Sequence, residues 1–191
     1  MTKKYELVLD DTISFWGWKL FRIRALISFG SVEAGDLGGY IEKEENLSHD
    51  GNAWVSGNAK VSGDAKVSGN AEVSGNAKVS GDAKVSGNAE VSGNAKVSGD
   101  AKVSGNAEVS GNAEVWGNAK VSELGDLIVF KNHWSSGRHF TYTKSNKMWK
   151  VGCFYGTGQE LIEKAYRDSE KSGNYYKACV DFVENLEKLG D

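Results

Sequence analysis

The chain has 191 residues, a formal net charge of -3, 39% apolar and 26% charged residues, which excludes both a basic polyanion binder and a highly charged disordered chain. With 24 Gly in no collagen period and 0 Pro it is neither collagen-like nor built on proline-rich linkers, and no apolar run approaches the roughly 18 residues of a membrane span. Cys153 and Cys179 stand in no CxxC spacing, so they read as two buried or partly buried free thiols, with no disulfide framework and no zinc site.

The opening, MTKKYELVLDDT, turns polar after two lysines and lacks the apolar stretch of a secretory signal, so the expected compartment is the cytoplasm. Residues 1–50 read as an N-terminal β cap with a degenerate first coil. Tyr5 to Leu9 and Lys19 to Leu26 alternate polar and apolar, which predicts a hairpin. The next stretch drifts into a six-residue frame: Ile41, Leu47 and Ala53 are six apart, Asn46 aligns with Asn52, and His49 falls where an inward Val is expected. His49 reads as an interior or cap histidine, because no carboxylate or second histidine has a fixed sequence relation to it.

From Gly51 to Ser122 the sequence is twelve consecutive hexads, G-[ND]-A-x-V-S, broken only where Trp116 replaces a Ser. Ala and Val lie two apart and x points the other way, the signature of a short strand; Ser-Gly-Asn supplies the corner, where Gly and Asn tolerate left-handed backbone. A strand and a corner in every hexad coil the chain around an axis, and such coils stack as a solenoid. A second period of 18 overlies the first: Asp replaces Asn at 64, 82 and 100, and Glu takes the x position at 72, 90 and 108. Duplication of a coding unit would leave the same mark. Three hexads per coil predict three faces with residues stacked about 4.8 Å apart. The first carries Trp54, Glu72, Glu90 and Glu108, the second Lys60, Lys78, Lys96 and Glu114, the third Lys66, Lys84, Lys102 and Lys120. An Asp64, Asp82 and Asp100 column would offset the stacked lysines, and Trp54 and Trp116 are expected to pack under caps that cover the strand edges at the coil ends.

Residues 123–191 read as a separate C-terminal α+β module of order β-β-β-α-α. Strand candidates are Leu127 to Phe130, His139 to Lys144 and Met148 to Phe154; a capping box, Thr157-Gly158-Gln159-Glu160, opens the first helix. The second helix, from about Asn174 to Leu189, places Cys179, Phe182, Val183 and Leu186 on one face as core or partner surface. Two features suggest binding. In GCFYGT, Gly156 and Thr157 precede a helix whose free amides form an anion site. In HWSSGRHFTY, Arg138 and His139 sit among Trp134, Phe140 and Tyr142, so Arg138 would hold a phosphate and an aromatic ring a base. The candidate ligand site is therefore Trp134, Arg138, His139, Tyr142, Gly156 and Thr157; no catalytic residue, metal or cofactor is expected.

The array resembles the hexapeptide repeat of left-handed parallel β-helices, which implies a mainly β fold of about four regular 18-residue coils. That family includes acyltransferases, γ-class carbonic anhydrases and insect ice-binding proteins. The array departs from each. No His lies between 51 and 122, His49, His133 and His139 are all outside it, and its outward columns are Lys, Glu and Ser instead of Thr. The layout as a whole also resembles proteins encoded by bacteriophages and prophages, through RALISFGSVEAGDLGGYIEKEENLSHDGNAWV, the GNAxV array, SGRHFTYT and GCFYGT. This implies a small phage accessory protein acting in the cytoplasm of a bacterial host, by analogy a counter-defence factor. The expected function is non-enzymatic: it inhibits a host defence protein or sequesters a small phosphorylated, nucleotide-type ligand. The alternatives are an acyltransferase with His49 or His139 as base and a structural spacer. Neither membrane nor nucleic acid is an expected partner, since three stacked glutamates are too few to mimic a duplex with one charge per roughly 1.7 Å of axis. Family members are often trimers, and the absence of inserted arms leaves the choice between monomer and homo-oligomer open.

Overall fold

The computed structural model describes residues 2–190. Strands β1 (Tyr5–Phe15) and β2 (Trp18–Ala25) form the expected hairpin, longer than the sequence alternation showed, with a register shift between Val8 and Thr12. Such a bulge bends the ribbon, and the tip of this one lies over the side of the solenoid, with the ammonium groups of Lys60 and Lys78 at 5.7 and 5.0 Å from the Phe15 ring. Strand β3 (Leu37–Ile41) pairs antiparallel with β2 and parallel with Lys60–Val61, so the hairpin prolongs one wall of the solenoid.

Twelve two-residue strands follow at six-residue intervals, from β4 (Trp54–Val55) to β15 (Lys120–Val121). They stack as parallel ladders in which each residue lies beside the one 18 positions on, and the three faces are those the 18-residue period predicts. The chain is thus a parallel β-solenoid. Every Ala and Val of the array is at most 1% exposed, which makes the interior one continuous column of small apolar side chains. Hydrophobic burial there is the main driving force for the coil. Asn side chains ladder along two corners, Asn70 to Asn88 and Asn88 to Asn106 at 3.1 Å, Asn58 to Asn76 at 3.5 Å and Asn76 to Asn94 at 3.4 Å. Asp at the third corner has no donor to continue a ladder. Among the described residues Asp64 pairs with Lys43 at 2.6 Å, and Asp82 and Asp100 form no ion pair, so the stacked lysines are not offset by direct bridges.

The first coil differs from the hexad frame. Ile41 lies beside Val61 and Leu47 beside Val67, steps of twenty, because two extra residues intervene between Leu47 and Val55. Asn46 therefore does not share the exposed corner of Asn52 but is fully buried. Its amide donates to the carbonyls of Gly63 at 3.0 Å and Ala65 at 2.9 Å, and its oxygen accepts from the amides of Glu42 and Lys43 at 3.2 and 3.0 Å. His49 lies in the extra segment and not in a Val slot; it stacks on Tyr5 with centroids 4.3 Å apart and accepts from the Lys4 amide at 3.2 Å.

The open end of the coil is closed by Lys4 and Tyr5. The single Tyr5 hydroxyl proton is shared between the carbonyl oxygens of Glu44 at 2.8 Å and Leu47 at 2.7 Å, and Trp54, 7% exposed, meets Tyr5 and Phe29 edge-on. Lys4 is 1% exposed, and its ammonium donates to Ala53 O at 2.8 Å and Gly51 O at 3.3 Å and lies 4.6 Å above the Phe29 ring. Burial lowers its pKa from 10.5 to about 8, against the opposing pull of Asp50. A lysine that loses its proton earlier in the folded than in the unfolded chain carries its full burial penalty below pH 8 and sheds it as the pH rises. Between about pH 8 and 10.5 Lys4 should therefore raise unfolding stability by up to about 3 kcal/mol. Denaturant unfolding across that range, compared with Lys4→Met, should show the rise in the parent only.

The C-terminal module has four strands, β16 (Leu127–Lys131), β17 (His139–Thr143), β18 (Met148–Val151) and β19 (Phe154–Gly156), followed by α1 (Gly158–Asp168) and α2 (Glu170–Leu189). The third candidate strand is thus two, because Gly152 turns the chain at φ 57 beside Cys153, which is exposed and not buried. One sheet face covers the last coil: Leu127 and Val129 join the solenoid core, and the Thr141 hydroxyl accepts from the Glu114 amide at 3.0 Å. The other packs Phe140, Tyr142, Trp149 and Val151 against both helices. Helix α2 begins earlier than expected and buries Gly173, Tyr176, Val180 and Val183, so only Val183 of the predicted stripe is core, while Phe182 is 55% exposed.

Candidate functional site

The six residues predicted to bind a ligand are not brought together. His139 and Tyr142 are three apart on one strand and so lie on opposite faces of the sheet. His139 faces the solenoid, its Nε2 3.3 Å from the Asn112 amide; Tyr142 is buried on the helix side and donates to Glu187 at 2.7 Å. Burial and that carboxylate hold the Tyr142 phenol well above its usual pKa. Trp134 is 72% exposed on the loop before β17, and the Arg138 side chain rests against Gly152. Gly156 and Thr157 stand at the far edge strand. Two of the amides at the start of α1 are already served: Thr157 accepts from the Glu160 amide at 3.3 Å, and the Thr157 amide and hydroxyl donate to Glu160 Oε2 at 2.8 and 2.9 Å. These bonds hold the Glu160 carboxyl below its ordinary pKa. The chain supplies its own anion there.

The histidines proposed as acyl-transfer bases lie at opposite ends of the solenoid. His49 belongs to the N-terminal plug, its Nε2 3.8 Å from Glu44; His139 lies at the junction with the C-terminal sheet. Among the described residues no group of three or more His, Cys, Asp or Glu is placed to hold a metal.

A different site is assembled from three distant stretches. A cleft of about 330 Å³ opens where the hairpin tip, one wall of the solenoid and the C-terminal sheet converge, lined by Phe15, Trp16, Lys78, Lys96, Trp116 and Tyr155. Phe15 and Trp16 stack with centroids 5.0 Å apart, and Trp16 is 76% exposed. Trp116 is not sealed under a cap as its position suggested: it is 37% exposed, with the Lys150 ammonium 4.6 Å from its ring centroid. Lys96 and Lys150 share the Glu114 carboxylate, at 2.6 and 3.4 Å. Ser98 lines the same wall, and among the described residues its buried hydroxyl has no hydrogen-bond partner.

Trp16 occupies the cleft at a conformational cost. With Gly17 it forms the two-residue turn between β1 and β2, and both have positive φ, 49 and 84. Left-handed backbone suits Gly and Asn and costs other residues about 1–2 kcal/mol. Trp16→Asn should accordingly raise unfolding stability by about 1 kcal/mol, measured by denaturant titration, because Asn-Gly is the preferred pair for such a turn.

No protein-family model matches the chain, and no curated protein matches it in sequence. Among the described residues no helix is long and apolar enough to cross a membrane.

Proposed function

We propose that the chain is a non-enzymatic binding protein that works by capturing a small ligand, in the manner of a phage counter-defence factor. The observation that carries this reading is the cleft itself. Its walls come from both terminal modules, held at a fixed separation by rigid coils, and its lining combines aromatic rings with two lysines. Preorganised apolar pockets of about 300 Å³ and above with a few placed polar groups are the usual form of small-ligand sites. Capture requires such a cavity and no reacting group. The phage setting and a bacterial cytoplasm rest on the resemblance of the front and the array. A left-handed coil and the hexapeptide-repeat family rest on the array.

A second reading has its own support. Leu9, Trp18 and Leu37, 73%, 49% and 57% exposed, leave the N-terminal module with large uncovered apolar side chains, as a surface for a host protein would. Native mass spectrometry of protein gently purified from its bacterial host separates the two. A retained mass of a few hundred daltons that is lost on Trp16→Asn supports capture. A bare protein overturns capture, and a stoichiometric host protein released by Trp18→Ser transfers the function to the second reading.

A further inference from the structure

The cleft also specifies what kind of ligand it takes. Three aromatic rings line it: Phe15 and Trp16 as a stacked pair on the hairpin tip, and Trp116 on the last coil. A flat ring system is their natural complement, since every nucleobase has a π face and base–aromatic stacking is worth about 1–3 kcal/mol per base. Lys78 and Lys96 occupy the same face of the solenoid on adjacent coils, directly paired in register. Their backbone attachments therefore lie about 4.8 Å apart, a spacing that suits two linked phosphate groups. Of the two lysines that line the cleft, Lys78 forms no ion pair among the described residues, while Lys96 shares the carboxylate of Glu114 with Lys150, which stands outside, so this part of the cleft is net positive. The unpartnered Ser98 hydroxyl adds a donor on the same wall. The lining of the cleft carries no amide or carboxylate side chain to read a base edge.

We infer that the cleft binds a nucleoside diphosphate or a ligand of that chemistry, its base stacked on Trp16 and Trp116 and its phosphates held by Lys78, Lys96 and Ser98, without discrimination between bases. The inference rests on the capture reading above and names its ligand class. The Lys78 ammonium lies 5.0 Å from the Phe15 ring centroid, and the Lys150 ammonium lies against the Trp116 ring from outside the cleft. Lys96 exchanges part of its contact with Glu114 for phosphate, while Lys150 keeps that carboxylate partnered.

Isothermal titration with ADP, UDP, adenosine and inorganic pyrophosphate tests this. ADP and UDP should bind within about tenfold of each other, and adenosine and pyrophosphate each at least about tenfold more weakly than ADP, as expected when stacking and charge contribute separately. Lys78→Gln and Lys96→Gln should each weaken ADP about tenfold and leave adenosine unchanged. Trp16→Asn, which the turn accommodates, should weaken ADP and adenosine alike. Absence of heat with ADP and UDP at millimolar concentration overturns the ligand class, as does ADP binding that the lysine substitutions do not change. If native protein then still retains a small molecule that is lost on Trp16→Asn, capture stands and only the class falls; if it retains none, both fall.

Discussion

Gly87→Ala should destabilise the solenoid by more than about 3 kcal/mol in denaturant unfolding, whereas Gly111→Ala should cost only about 1–2 kcal/mol. The two glycines hold neighbouring corners of successive coils, Gly87 stacked on Gly105 and Gly111 on the corner of Gly93, at φ 70 and 64, so the left-handed penalty is common to both. Their surroundings differ. A methyl group on Gly87 would lie 2.8 Å from the Gly105 nitrogen and 2.9 Å from its oxygen, both backbone atoms of the next coil; one on Gly111 meets nothing within 4 Å. Backbone cannot yield without breaking the ladder bond from Asn88 to Gly105 O at 2.8 Å. Equal losses at the two sites would mean that the stack relaxes along its axis and that corner contact does not set the coil spacing.

Asn46→Ala should cost about 3–5 kcal/mol, while Asn52→Ala, at the exposed corner where the hexad frame places both, should change stability by less than about 0.5 kcal/mol. The Asn46 side chain makes four hydrogen bonds to main-chain groups of two coils, and its own burial is complete. Truncation leaves the Lys43 amide and two carbonyls at the coil end without that partner, while the Glu42 amide keeps its bond to Val61 O at 3.1 Å; each buried unpaired group costs about 1–3 kcal/mol. Asn46→Asp is a sharper probe: it keeps the acceptor for Glu42 and Lys43 but offers no donor to Gly63 and Ala65. It should recover at most about half of the loss, measured by the same unfolding titration.

The regular coils were legible residue by residue. An uninterrupted period allows one register only, so Glu72, Glu90 and Glu108 had to share a face, as did the lysine columns. The first coil was not legible, because the two residues added after Leu47 leave the apolar frame superficially intact while moving Asn46 from corner to interior. Helix α2 shows a related limit. Cys179, Phe182, Val183 and Leu186 form an apolar stripe, yet Gly173 and Tyr176 decide the buried face because the helix crosses α1 where Tyr166 covers Gly173. The expected ligand residues fell in two short stretches, and strand alternation sends His139 and Tyr142 to opposite faces of the sheet while Gly156 and Thr157 lie at its far edge. Those that line the cleft come from positions 15–16, 78–98 and 116–155, and no local motif joins them. One signal was present: Trp-Gly at a hairpin tip, where Asn-Gly would fold more easily.

The hairpin and the C-terminal sheet are anchored at opposite ends of the coil stack, so the width of the cleft between them is counted in coils. An in-frame gain or loss of 18 residues anywhere between Gly99 and Trp116 would preserve every ladder contact yet shift one jaw against the other by about 4.8 Å. Near-identical tandem coding units are prone to such slippage during replication. On the capture reading, the number of coils would act as a vernier for ligand size, adjustable by one repeat without a single new side chain.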